Sequence, residues 1–287
     1  MQPGDTDQLS LVGPWTVPSS PLSDPFGDAR AGRHLMLRML DRTAVDPVVA
    51  VARAPLQMSH TYASPAPAIC SNTQIYWLKR RAQGGLLTEL VAGRLAAKLS
   101  VGPEARVVLV PPSLARREPS LSRFDGLNVG TRHVPNAQSA RGLTELMGTE
   151  AFGPRTIDAE SRGAVITFQT WLNVGDAQVL IGLTDGRVQS FDNGDSLDAM
   201  LKGKPAVVVT SIPGVADDLG QSWRHIEPAL RRIEDLPEEE ILAAVACVPD
   251  EDIWRGQFHR RIAIAEWLIK RRQVLREVMW RWARRAS

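Results

Sequence analysis

The dipeptide Asp185-Gly186 stands between two short apolar runs, Gln178-Val179-Leu180-Ile181-Gly182 before it and Arg187-Val188-Gln189-Ser190-Phe191 after it. Asp-Gly accepts the positive φ values that tight turns need, so this stretch is committed to an antiparallel β-hairpin through Thr184-Asp185-Gly186. With the turn centred near Asp185, cross-strand partners have numbers summing to about 370. That sum sets Asp192 opposite Gln178 and Asp176 opposite Gly194. Two carboxylates then meet at the open end of the hairpin, with a Gln side chain beside them. Such a group can hold a divalent cation through oxygen ligands, or pair one base with one metal ligand. Aspartates beside Gly and Asn also cap turns, and Phe191-Asp192-Asn193-Gly194-Asp195 fits that simpler role.

Around the hairpin the texture of the chain divides it into three parts. Residues 1–42 mix Pro, Gly, Ser and Asp, with a helical pattern only from Leu35 to Leu40, and read as an extension. Residues 43–112 carry the β-rich runs Val48-Val49-Ala50-Val51, Ile75-Tyr76-Trp77-Leu78-Lys79 and Arg106-Val107-Val108-Leu109-Val110. Between the last two runs, Leu86, Leu87, Leu90, Val91, Leu95 and Leu99 recur at helical steps. This predicts a small antiparallel sheet with one helix, ended by a hinge at Pro111-Pro112. Residues 113–287 hold a polar stretch from Arg116 to Ser139, a buried segment from Ala164 to Leu172, and the hairpin. They continue with a helix that starts at Asp235 and Pro237 and runs through Ala246, and with a long final helix. The fold class is therefore α+β, with a β-rich lobe followed by a mostly helical lobe that contains the hairpin.

Composition removes several function classes. The 287 residues are 44% hydrophobic and 23% charged, which excludes a wholly disordered or fibrous chain. Lys plus Arg number 34 against 32 Asp plus Glu, so the net charge of +2 gives no overall drive toward nucleic acid or acidic membranes. Any basic surface is therefore local, and in the tail from Trp254 to Ser287 ten Lys and Arg stand against two glutamates. An apolar stripe of Ile264, Trp267, Leu268, Leu275, Val278, Met279 and Trp282 implies that this helix packs on the protein and leaves its arginines as a solvated face. Cys70 and Cys247 show no C-x-x-C spacing, so they read as core residues in a reducing compartment rather than as zinc ligands or a disulfide framework. Met1 to Ser20 lacks a basic stretch followed by an apolar run, and no apolar segment reaches about 18 residues. The expected place of work is the cytoplasm, with no membrane partner.

Lys79 ends a strand of aromatic and aliphatic residues, and Glu89 follows on the next helix. A strand lysine held by a helix glutamate is one way to aim a fixed positive charge at phosphates. A lysine at a strand end and a glutamate on a helix are also ordinary solvated residues. Arg132 and His133, in Gly130-Thr131-Arg132-His133-Val134-Pro135, read as a substrate-facing loop or as hydrogen-bonded surface groups.

Taken in order, Tyr76-Trp77-Leu78-Lys79, Thr88 to Ala96, Val129 to Pro135, Trp171-Leu172-Asn173-Val174-Gly175-Asp176 and Phe191-Asp192-Asn193-Gly194 resemble the HipA-like kinase family. Ile212-Pro213 and Ala265 to Arg272 resemble its helical C-terminus, so the likeness runs from about Val48 to Arg272. The resemblance implies a two-lobed protein-kinase-like fold that uses ATP and Mg²⁺. Lys79 would contact the phosphates, and Glu89 would orient it. Asp176 would be the catalytic aspartate toward a hydroxyl acceptor on a protein or a small molecule. Asp192 would bind the metal, with Gln178 in place of the family's asparagine. The phosphate-covering stretch Gln57 to Pro65 contains no glycine, which leaves Ser59, Thr61 and Ser64 as candidate donors to the nucleotide. These two departures keep open a pseudokinase that binds nucleotide or a partner with little turnover, and the basic tail keeps open a nucleic-acid-associated module.

Overall fold

The computed structural model describes residues 36–42, 45–56, 65–79, 85–141, 157–175, 178–197, 200, 219–254 and 256–286. Asp176, Ser59, Thr61, Ser64 and Ile212-Pro213 lie outside the described residues, as does most of the extension.

The β-rich run begins as an antiparallel meander of β1 (Val48–Arg53), β2 (Ala66–Cys70) and β3 (Ile75–Lys79). Helix α1 (Gly85–Lys98) leads to β4 (Ala105–Val110). The chain then turns through α2 (Pro112–Arg117) and a 3-10 segment, Pro119–Phe124, into β5 (Gly126–Arg132). Strand β5 lies between β3 and β4, and β4 pairs in parallel with β1 through Val48 with Val108 and Val49 with Leu109. Five strands therefore close into a barrel of order β1-β2-β3-β5-β4. The small antiparallel sheet expected from the sequence is corrected in two respects: it is closed, and its closure is parallel. Closure removes the unpaired edges that a small sheet would otherwise expose. Ala50, Ala68, Tyr76, Leu78, Val108 and Val110 form one buried cluster, joined by Leu114, Leu121 and Phe124 from the segment after β4.

A larger core gathers α1, a second sheet and the later helices. In the second sheet, of order β6-β7-β8, β6 (Ala137–Arg141) pairs with β7 (Gln178–Gly182), and β7 pairs with β8 (Val188–Phe191). The hairpin is present, with Gly186 at φ +67° and the Arg187 N–H donating to the Asp185 carboxylate at 3.0 Å. Its register differs by one from expectation. Gln178 faces Phe191, because the connection spans residues 183–186 between the paired Gly182 and Arg187 instead of centring on Asp185.

Helix α3 (Ala159–Leu172) begins at Asp158, whose carboxylate accepts the Ser161 N–H at 2.8 Å, and ends at Asn173 with φ +53°. It contains the buried segment expected from Ala164 to Leu172. Helices α4 (Leu219–Glu234), α5 (Glu238–Ala246) and α6 (Phe258–Ala286) follow. Pro237 is itself the N-cap of α5 and makes no side-chain cap bond, which corrects the capping role given to Asp235. Glu238, Glu239 and Glu240 instead place negative charge at the positive end of that helix.

The apolar stripe of α6 is buried through Ile264, Leu268, Leu275 and Met279, while the side chains of Trp282, Arg284 and Arg285 fall outside the described ones. The solvated arginine face is corrected. Arg271 is buried, donates to the Thr170 carbonyl at 3.2 and 2.7 Å, and lies over the Trp267 ring at 4.9 Å; burial pushes its pKa down to about 10. Arg272 pairs with Glu238 at 3.0 Å, and Arg276 pairs with Glu227 and Glu234 at 2.6 Å each. The acids come from α4 and α5, distant in sequence, so the local charge count of the tail overstated its free charge. Cys70 and Cys247 are buried, and desolvation pushes their thiols up to about 12 and about 11, as core residues require. No helix among the described residues is long and apolar enough to cross a membrane.

Gly93 sets how closely α1 lies on the barrel. A Cβ there would fall 2.3 Å from the Ala105 Cβ and 3.0 Å from the Ala105 nitrogen, so helix and strand touch backbone to backbone. Gly93→Ala should cost about 1–3 kcal/mol of overpacking, offset in part by up to about 1 kcal/mol of better helix propensity. Urea denaturation measures the balance. A variant more stable than the parent would mean that α1 shifts outward freely.

Candidate active site

The alternation of β3 turns Tyr76 and Leu78 into the barrel and Lys79 to the opposite face, where α1 covers it. The Lys79 ammonium donates to Glu89 Oε1 at 2.8 Å and to Asp192 Oδ1 at 2.9 Å. These side chains are 7%, 3% and 15% exposed, so a three-membered ion cluster sits out of water. Thr131 on β5, directly paired with Trp77 in the ladder, donates its hydroxyl to the same Glu89 Oε1 at 3.0 Å. Glu89 Oε2 is buried and has no hydrogen-bond partner among the described residues. The Phe191 ring centre lies 5.9 Å from the ammonium.

Charge decides the protonation of this cluster. Burial alone would push the Lys79 ammonium toward its neutral form, but the attraction of Glu89 and Asp192 outweighs it, and the pKa is raised. Counted over the described residues, one positive charge against two carboxylates leaves the cluster formally negative by one, which suits a cation.

Asp192 follows β8 in the left-handed region, at φ +52° and ψ 52°, and opens a 3-10 turn, Asn193–Asp195. Its segment is gripped from two helices. From α1, the Thr88 hydroxyl donates to the Gly194 carbonyl at 2.6 Å. From α3, Gln169 Nε2 donates to Ser190 Oγ at 3.1 Å, and Ser190 Oγ donates to Asn193 Oδ1 at 2.8 Å. The same Gln169 nitrogen reaches the backbone carbonyl of Gln178 at 3.2 Å, so the relay also fixes the start of β7.

Lys79 and Glu89, expected from the sequence as a pair, and Asp192, read from the hairpin, are thus brought together. Gln178 stands in the ladder one pair earlier than expected, opposite Phe191, and the facing pair Asp192–Gln178 is corrected. Thr88, Thr131, Gln169 and Ser190 were not anticipated. Thr131 lies in a stretch read as polar loop, whereas Gly126–Arg132 is strand. His133 accepts a hydrogen bond at Nδ1 from Trp77 Nε1 at 3.2 Å, and burial holds its pKa below the usual value, so it acts there as a neutral acceptor. An open groove of about 360 Å³ is lined by Pro112, Ala115, Arg116, Pro119, Ser122 and Asp125, none of them in the ion cluster. No group of three or more His, Cys, Asp or Glu among the described residues could by itself enclose a metal.

Comparison with solved structures supports a protein-kinase-like fold for this β-rich unit and the helices that follow it. CtkA, a proinflammatory kinase of Helicobacter pylori, matches with a TM-score of 0.54 and 14% identity over 84% of this chain and 100% of that one. The Golgi casein kinase matches with a TM-score of 0.43 and 8% identity over 86% of this chain and 76% of that one. Its form with Mn and ADP bound matches with a TM-score of 0.42 and 10% identity over 88% and 77%. At such identities the likeness concerns the fold alone, and the CtkA match carries it. No protein-family model matches the sequence, and no curated protein does.

Proposed function

We propose that the chain is an ATP-dependent phosphotransferase of the HipA-like type, with two lobes flanking a nucleotide cleft, that passes a γ-phosphate to a Ser or Thr hydroxyl of a protein or to a small-molecule hydroxyl. The observation that carries this reading is the contact of Lys79 with both Glu89 and Asp192, three residues supplied by strand, helix and hairpin in the order a kinase-like fold uses. An ammonium has three donors, and the two carboxylates use two. Glu89 holds Lys79 charged and aimed. Asp176, by resemblance, accepts or orients the acceptor proton. Ser59, Thr61 and Ser64 are the candidate hydroxyl donors toward phosphate.

The residues fit a magnesium ion. Mg²⁺ takes one or two carboxylates and fills the rest of its shell with phosphate and water, so a three-acid cage is not required. Asp192 would hold it, with Gln178 as the second candidate, and the bound ion would neutralise charge on the phosphates. Buried, unpaired cysteines accord with work in the cytoplasm.

Two observations favour a second reading. The two carboxylates already neutralise the Lys79 charge, and the segment from Gln57 to Pro65 offers no glycine, as in a scaffold that binds a partner and turns over little. Calorimetric titration of the full chain with ATP, with and without Mg²⁺, separates the two. Binding that strengthens with Mg²⁺ is expected; no binding in either condition sinks the phosphotransferase reading.

A further inference from the structure

Asp192 occupies a backbone conformation that non-glycine residues adopt only when their surroundings over-determine it. Of the contacts that hold its segment, one comes from the helix that also carries Glu89. Thr88, buried and adjacent to Glu89, has a single hydroxyl proton. Gly194 O lies 2.6 Å from that hydroxyl and Gly85 O lies 3.2 Å from it, so the shorter bond, to Gly194, is the dominant one.

We infer that Thr88 is a positioning residue for Asp192, coupling the place of the metal-binding carboxylate to the helix that orients Lys79. This rests on the reading of Asp192 as the Mg²⁺ ligand. Charge alone fixes the cluster loosely, because Coulomb attraction falls slowly with distance and an ammonium accepts partners from many directions. A 2.6 Å hydrogen bond between a helix residue and a backbone carbonyl tolerates much less displacement. The bond is also independent of Lys79. If Asp192 gives up its ammonium partner for a cation, the Thr88 contact still ties the segment to α1, and the relay from Gln169 through Ser190 to Asn193 still ties it to α3.

The test uses Thr88→Val, which removes the hydroxyl at nearly constant volume, and Thr88→Ser, which keeps it. In the ligand-free protein, Ser196 and Leu197 donate their N–H groups to the Asn193 and Leu172 carbonyls, so their amide exchange reports on the segment. Thr88→Val should speed that exchange about tenfold, the worth of one hydrogen bond. In ATP titrations the gain in affinity given by Mg²⁺ should fall about tenfold, metal-free binding should stay as in the parent, and Thr88→Ser should restore both. Unchanged exchange in Thr88→Val overturns the inference, and so does faster exchange with an unchanged Mg²⁺ effect. Should Thr88→Val fail to fold, Thr88→Ser and Thr88→Ala differ by the hydroxyl alone, and equal values for that pair overturn it as well. A parent that gains nothing from Mg²⁺ sinks the phosphotransferase reading and the metal half of this inference; the exchange comparison then decides the Thr88 contact on its own.

Discussion

Replacing Lys79 with methionine should destabilise the protein by about 3–5 kcal/mol and lower the thermal midpoint by roughly 10 °C. Among the described residues the ammonium is the only cation seen to meet these two acids, which are 3% and 15% exposed, so its loss leaves the deeply buried Glu89 without its counter-charge. The effect has a defined pH range. Lys79 has a folded-state pKa above its ordinary 10.5, so its contribution is complete below 10.5 and is lost as pH rises through the folded value. Denaturant titrations of parent and variant should therefore differ fully at pH 8 and converge in strong alkali. Equal stability at pH 8 would mean that Lys79 is hydrated in solution and that the cluster is not a buried unit.

Asp192→Asn should leave the fold nearly intact and remove most of the Mg²⁺-dependent affinity for nucleotide. Asparagine matches aspartate in size, and Lys79 keeps Glu89 at 2.8 Å as its counter-charge. The substitution removes one negative charge, taking the described cluster from minus one to zero, so the attraction for a cation falls along with the loss of the oxygen ligand. Loss of groups that only support a metal ligand costs about 10–100-fold in affinity, so loss of the ligand itself should exceed about 100-fold. Calorimetry with ATP, with and without Mg²⁺, measures it, and circular dichroism checks the fold. Retention of the parent's Mg²⁺ effect would remove Asp192 from the site and strengthen the scaffold reading.

The parts of this site that were legible in the sequence are those whose signals are local. Strand alternation and helical spacing located Lys79 and Glu89, and the Asp-Gly turn located the hairpin. Register was less legible. A four-residue connection, 183–186, moved the pairing by one, so Gln178 meets Phe191, and Asp192 comes just after the last residue of β8. It then became visible as a partner of Lys79 instead of Gln178. Strand β5 was hidden by its own composition, since Gly126, Asn128 and Gly130 look like a loop. Gly130 is there for packing: a Cβ would fall 2.6 Å from Val108 Cγ2 and 2.9 Å from Tyr76 Cβ. The glycine that disguises the strand lets it sit between its neighbours. The parallel pairing of β1 with β4, and the acids that meet the arginines of α6, join distant segments and leave no local trace.

Helix α1 buries Leu86 through Gly93, then Leu95 and Ala96, and turns an exposed residue to solvent only in its last turn, at Lys98. Lifting it outward to carry Glu89 off Lys79 would wet Leu86, Leu87, Leu90, Val91 and Leu95. At about 1.5–3 kcal/mol for each such side chain, that motion would cost roughly 7–15 kcal/mol, comparable to the whole stability of a typical domain. A hinged helix is thus a poor on-off lever in this molecule, because its open position is close to unfolding. A swing of α1 that fully wetted these side chains would therefore be a costly way to control the lysine–glutamate pair, next to changes in what reaches the cluster.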